Sequence, residues 1–229
     1  MTQLKLSSDT LQILKNFSDI NASILVREGS RLKTISVGEN MIAQYDCKEN
    51  FPITFGVYDL RQFLGGLSLF DNPTLEFQNS DYMIINGGGR KTKFFFSDPE
   101  ITIKAAPEKD VNFPGGDLSF ELTQGTLSAM KKASAVYGLP DLKISSLDGV
   151  ITLSLCDREN DTTNTFEEIV TGDSVGDYEF FIKVENLRLF SPDKATPTDK
   201  LYDVKVSSKM ISEWTCLSSP LIYYIALEP

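Results

Sequence analysis

The chain has 229 residues, 41% of them hydrophobic, with 22 basic residues against 32 acidic ones and no histidine. That balance suits one large or two small soluble domains, and a net charge of −10 opposes broad contact with nucleic acid. Lack of histidine excludes Ser-His-Asp and Cys-His catalysis, no apolar run has the length of a membrane span, and "MTQLKLSSDT" has neither the basic start nor the apolar core of a signal peptide.

In chain order, Ser7 or Ser8 is placed to cap a helix in which Leu11, Leu14 and Phe17 form the apolar stripe. Short strands follow at "ASILVRE", "RLKTISV", "MIAQYD" and "ITFGVY", rich in β-branched and aromatic residues and broken by Gly29-Ser30 and Gly38. A second helix around Arg61 buries Leu60, Phe63, Leu64 and Leu67. The strands "TLEFQN", "YMIING" and "KTKFFFS" come next, with "GGGRKTK" (87–93) a glycine-rich hairpin lacking the order of a phosphate loop. Residues 98–117 contain three prolines and read as a connector, so the expected domains are 1–107 and 108–229.

Beyond the connector the plan recurs. "LSFEL" leads to a helix from about Thr126 that stops near Gly138 and Pro140. The strands "LKISSL", "VITLSLC", "FEEIV" and "YEFFIKV" follow, then a helix around Arg188, then "LYDVKVS", "ISEWTCL" and "LIYYIAL". Trp214 alternates with polar neighbours and reads as half-buried. "DRENDTTN" (157–164) lacks the spacing of a calcium loop and reads as a solvated turn. Cys47, Cys156 and Cys216 are odd in number and in no metal spacing, as for reduced thiols.

The recurrence is visible in the residues themselves. "TLQILK" (10–15) and "TLSAMK" (126–131) share T-L-x-x-[L/M]-K, and "VYDLRQF" (57–63) and "VENLRLF" (184–190) share V-x-x-L-R-x-F, in the same order in each half. Duplication is the better reading. The fold class is therefore α+β: two similar domains, each a mostly antiparallel sheet with two short helices on one face.

Basic residues recur on those helices. At 100° per residue Lys15 lies at the edge of the polar face, Lys131 lies likewise, and Lys132 is near its centre. Arg61 and Arg188 each follow a buried leucine and turn away from the core. Up to Pro107 the charges nearly balance, 11 basic against 12 acidic, whereas beyond it 20 acidic residues face 11 basic ones. A basic set on one face of an acidic body suits diffuse phosphate contact without base readout.

At these residues the chain resembles the sliding clamps of T-even-type bacteriophages, the processivity rings of DNA polymerases. The resemblance is carried by "DTLQILKNFSDINASIL" (9–25), "YDLRQFLGGLSL" (58–69), Phe113-Pro114 and "YYIALE" (223–228), while 191–216 matches poorly. It implies a head-to-tail homotrimer of two-domain subunits, with sheets outside and helices around a central hole. It further implies sequence-independent binding of double-stranded DNA and partnership with a replicative DNA polymerase and a clamp-loader ATPase, with transcription factors as further candidates. No catalysis, metal, cofactor or membrane is implied, and the setting is the cytoplasm of an infected bacterial host. The basic helix positions of the family correspond here to Lys15, to Lys131 or Lys132, and to Lys5, Arg61 and Arg188.

By the same resemblance, partners insert a short hydrophobic peptide, for which Ile101, Ile103, Phe113, Tyr224 and Leu227 are candidates; the alternative is that these residues only join the domains. For the subunit interface, an unprotected sheet edge needs a neighbour. The candidates are "RKTKFFF" (90–96), with Arg90, Lys91, Lys93, Phe94 and Phe96, and "TFEEIV" (165–170), with Glu167 and Glu168. Two other classes stay open: a viral shell or tail protein with duplicated domains, and a carboxylate-dependent enzyme.

Overall fold

Ser7 turns the extended start of the chain into a helix. Its hydroxyl accepts from the Thr10 N–H at 3.2 Å, and α1 runs Ser8–Ile20, burying Ile13, Leu14, Phe17 and Ile20. In the computed structural model, which describes every residue except Met1 and Asp161, the chain divides into a unit ending at Lys109 and a unit starting at Asp110.

The first unit comprises β1 (Thr2–Leu4), α1, β2 (Ile24–Val26), β3 (Gly29–Ile35), β4 (Met41–Phe51), β5 (Phe55–Val57), α2 (Leu60–Leu67), β6 (Thr74–Phe77), β7 (Tyr82–Gly87) and β8 (Arg90–Phe95). Four of its strands form an antiparallel sheet in the order β1-β6-β7-β8, β3 pairs antiparallel with β4, and β2 pairs with β5. Gly88 and Gly89, at φ 59° and 77°, make the tight β7–β8 turn that only left-handed residues close. Asp59 caps α2 by accepting from the Gln62 N–H at 2.9 Å, and Leu60, Phe63 and Leu67 face the core.

The expected connector is laced onto this unit. Asn21 Nδ2 donates to the Lys104 carbonyl at 3.3 Å, Arg27 Nη2 to the Ala106 carbonyl at 2.9 Å, and the buried Lys33 Nζ to the carbonyls of Glu108 and Lys109 at 2.9 and 3.2 Å. Burying Lys33 is tolerable because those carbonyls replace water around its ammonium.

The second unit comprises β9 (Leu118–Thr123), α3 (Gln124–Tyr137), β10 (Asp141–Leu147), β11 (Val150–Cys156), β12 (Phe166–Val170), β13 (Gly172–Ser174), β14 (Tyr178–Lys183), a 3-10 turn at Val184–Asn186, β15 (Lys200–Ser207), β16 (Ile211–Cys216) and β17 (Leu221–Ala226). One antiparallel sheet has the order β12-β11-β10-β14, and another runs β13-β9-β15-β16-β17. Thr123 caps α3, and Gly138 at φ 69° ends it.

The expected helix around Arg188 does not form. After the 3-10 turn, Leu187 and Leu189 are buried while Arg188 is exposed, which is the alternation of an extended chain. Pro192 disfavours helical backbone at Ser191, and two core tyrosines hold Phe190 instead of a helical ladder. The Tyr202 hydroxyl donates to the Phe190 carbonyl at 2.5 Å, and the Tyr223 hydroxyl accepts from its N–H at 3.0 Å. Burial pushes both phenols above their ordinary value, so both hydroxyls stay neutral, one donating and one accepting. Among its described residues the second unit therefore has one α-helix, not two. Trp214 is 1% exposed rather than half-buried: its indole donates to Ser212 Oγ at 2.8 Å, and Glu213 and Thr215 take the other face.

Candidate nucleic-acid interface

The repeated T-L motif has one structural meaning in both units. Thr10 sits in the first turn of α1 and donates its hydroxyl to Glu49 of β4 at 2.7 Å; Thr126 sits in the first turn of α3 and donates to Glu168 of β12 at 2.8 Å. Glu49 also accepts from the Ser7 N–H. Burial pushes the Glu49 carboxyl up, but these hydrogen bonds outweigh it and hold it below the usual carboxylate value. A strand carboxylate thus fixes the start of α1 and of α3, a role that the sequence alone did not reveal.

The candidate DNA-binding side chains are all exposed, but they are not equivalent. Lys15 of α1 and Lys132 of α3 have no carboxylate within ion-pair distance among the described residues, and Lys131 is exposed beside Lys132. Arg61 of α2 is tied to Asp19 of α1 at 2.8 Å, with both side chains more than half exposed. Lys5 Nζ donates to Asn72 Oδ1 at 3.3 Å. Arg188, outside any α-helix, donates Nε to the Glu185 carbonyl at 3.0 Å. Asp19 was missed, although its place one turn after Lys15 puts it on the same face. Between α1 and α2 lies a groove of about 600 Å³ with Leu11, Leu64 and Phe70 inside and Lys15 and Arg61 at its sides.

The two strands expected at a subunit interface are both open edges, β8 of one sheet and β12 of another. Their side chains sort by face. Phe94 packs on Phe63 of α2 with ring centres 5.1 Å apart, and Phe96 packs on Phe55 at 4.8 Å, so both half-buried rings turn toward their own unit. Phe95 is the exposed one, at 62%, and Lys93 stacks over Tyr82 at 3.8 Å on that same outer face. On β12, Glu168 turns inward to Thr126, whereas Glu167 and the 71% exposed Ile169 face outward. Arg90 and Lys91 are exposed at the start of β8.

Of the partner-site candidates, Ile101 is 83% exposed on a turn held by Asp98, whose carboxylate accepts from the N–H groups of Glu100 and Ile101. Phe113 and Tyr224 are half-buried, and Ile103 and Leu227 are buried. The 157–164 stretch supplies no cluster able to hold a metal among the described residues, and Asp161 lies outside them.

No family model matches the chain. Among curated proteins it is 36% identical to the sliding clamp of Vibrio phage KVP40 over 98% of this chain and 99% of that one. It is 27% identical to the sliding clamp of Enterobacteria phage T4, over 81% of this chain and 83% of the relative. Among solved structures, the proliferating cellular nuclear antigen of Entamoeba histolytica superposes with a TM-score of 0.67 at 14% identity, covering 96% of this chain and 95% of that one. The A. fulgidus PCNA bound to the C-terminal region of FEN-1 gives 0.69 at 11% identity, over 100% and 99%. At those identities the structures show the fold alone.

Proposed function

The chain belongs to the sliding-clamp family and is a DNA sliding clamp, and from that premise we propose that three copies close head to tail into a ring around duplex DNA. Open edges β8 and β12 lie in different units, which is what a heterologous, ring-closing contact requires. With Phe94 and Glu168 turned to the helix side, pairing these edges sets Lys91, Lys93 and Phe95 opposite Glu167 and Ile169 on the outer face. Rim ion pairs add little, so apolar burial of Phe95 and Ile169 supplies most of the affinity.

Inside the ring, Lys15 and Lys132 face phosphates with no carboxylate partner to give up among the described residues, and Lys131, Lys5, Arg61 and Arg188 contribute beside them. Contacts of this kind carry no base readout and let the ring slide. The role is mechanical: the clamp tethers the replicative polymerase in the cytoplasm of the infected bacterium, and a loader ATPase opens it. Ile101, on the turn held by Asp98, is the exposed anchor for a partner's apolar peptide.

The observation that carries this reading is a pair of unlike open edges on an acidic body whose helices expose Lys15, Arg61, Lys131 and Lys132. Sedimentation equilibrium tests it. Three times the 25.5 kDa subunit mass is expected at micromolar concentration, and a subunit-sized species at every concentration would refute it.

A further inference from the structure

Resting on the reading that DNA runs past the helix faces, we infer that the groove between α1 and α2 receives one unpaired nucleotide of that DNA. Its base lies on the groove's apolar floor and its phosphate meets Lys15. The floor consists of Leu11, Leu64, Leu67, Phe70 and Pro73, and its volume of about 600 Å³ lies in the range of small-molecule sites. Every base has a flat apolar face suited to an apolar, aromatic seat. A paired base stays in its stack, so only a bulged or unpaired one can leave the duplex to enter.

The sequence of α2 keeps this groove open against its own helix. Gly65 stands inside an eight-residue helix, where glycine is the poorest residue but for proline. No neighbour demands it: a Cβ at Gly65 meets nothing within 4 Å, and its backbone has no positive φ. A side chain there would instead project into the groove that Gly65 lines. The second unit has no counterpart between two helices, because among its described residues the Arg188 segment is not an α-helix. Each subunit therefore carries one such groove.

Charge selects an anion with an apolar body. Lys15 has no carboxylate partner among the described residues, whereas Arg61 is paired with Asp19, so the two sides leave one uncompensated positive charge. The hydroxyls lining the groove are already committed. Ser18 Oγ donates to the Lys15 carbonyl and Ser68 Oγ to the Gly65 carbonyl, each at 2.7 Å. No hydroxyl proton remains to read a base edge, so any of the four bases is accepted. An acidic apolar peptide would meet the same chemistry, but this is the face that the clamp turns to DNA.

Fluorescence anisotropy at low salt tests the inference by comparing a fully paired duplex with the same duplex carrying one bulged thymidine. The parent should bind the bulged duplex about tenfold more tightly, the effect of seating one base on an apolar floor with an aromatic ring. Gly65→Leu fills the groove and should erase that preference, with affinity for the paired duplex and its salt slope unchanged. Thermal melting should find this variant at least as stable as the parent, since leucine is the better helix former. Equal affinity of the parent for both duplexes would overturn the inference. So would a bulge preference that survives Gly65→Leu, which would come from the flexibility of the bulged duplex itself. An acidic leucine-rich peptide that binds the parent but not Gly65→Leu, without any bulge preference, would also overturn it and give the groove to a protein partner. If the parent binds neither duplex, the DNA reading fails first and takes this inference with it.

Discussion

Replacing Lys15 by alanine tests the proposed phosphate contact at no cost to the subunit. Its ammonium is exposed and has no carboxylate partner among the described residues, so neither fold nor ion pairing depends on it. A closed trimer presents three such lysines. Each phosphate neutralised contributes a slope of about 0.9 to the fall of log affinity with log salt, so the variant should lose up to about 2.7. Between 50 and 200 mM salt that difference amounts to about 40-fold: the parent's advantage at low salt shrinks by this factor at high salt. Fluorescence anisotropy on a short linear duplex, titrated at four salt concentrations, measures both slopes. Parallel lines for parent and variant would show that Lys15 does not face phosphates and would refute the helix assignment.

Asp19→Asn should act in the opposite sense, releasing Arg61 from its 2.8 Å pair and steepening the salt slope in the same titration. Glu49→Ala should destabilise the subunit by about 1–3 kcal/mol in urea denaturation, since the Thr10 hydroxyl and Ser7 N–H lose their acceptor. Because the Glu49 carboxyl lies below its ordinary value of 4.5, its contribution is fully present above about pH 4.5 and is lost as pH falls through the lower folded value; a melting series from pH 7 to 3 should show the parent converging on Glu49→Ala. Lys33→Ala should free the segment near Lys104–Lys109, seen as faster proteolysis there with the rest of the subunit intact.

Local signals reached the structure most directly. Ser7, Thr123 and Gly138 act at helix ends as their residue types dictate, and the alternating strands "VITLSLC" and "LIYYIAL" keep their phase. The helix expected around Arg188 does not form because Pro192 and the alternation of buried Leu187 and Leu189 override the likeness to the Arg61 segment. The strands β1 and β13 have three residues each and carry no pattern long enough to register. At the candidate site, exposure of the basic residues was legible from helical periodicity. Pairing was not, since Arg61 and Asp19 are 42 residues apart and meet only when α1 packs beside α2. The same holds for β8: three consecutive phenylalanines do not say which phase faces inward until Phe63 receives Phe94.

Encirclement is a topological link, and loss of the clamp on cutting DNA tests it most directly. The clamp is loaded on a nicked circular duplex, with its loader and ATP, at a salt concentration that abolishes binding to linear duplex. It should co-elute with the circle on gel filtration and dissociate once a restriction enzyme opens that circle. A clamp that stays bound to the linear product at the same salt, or that never joins the circle, would contradict encirclement.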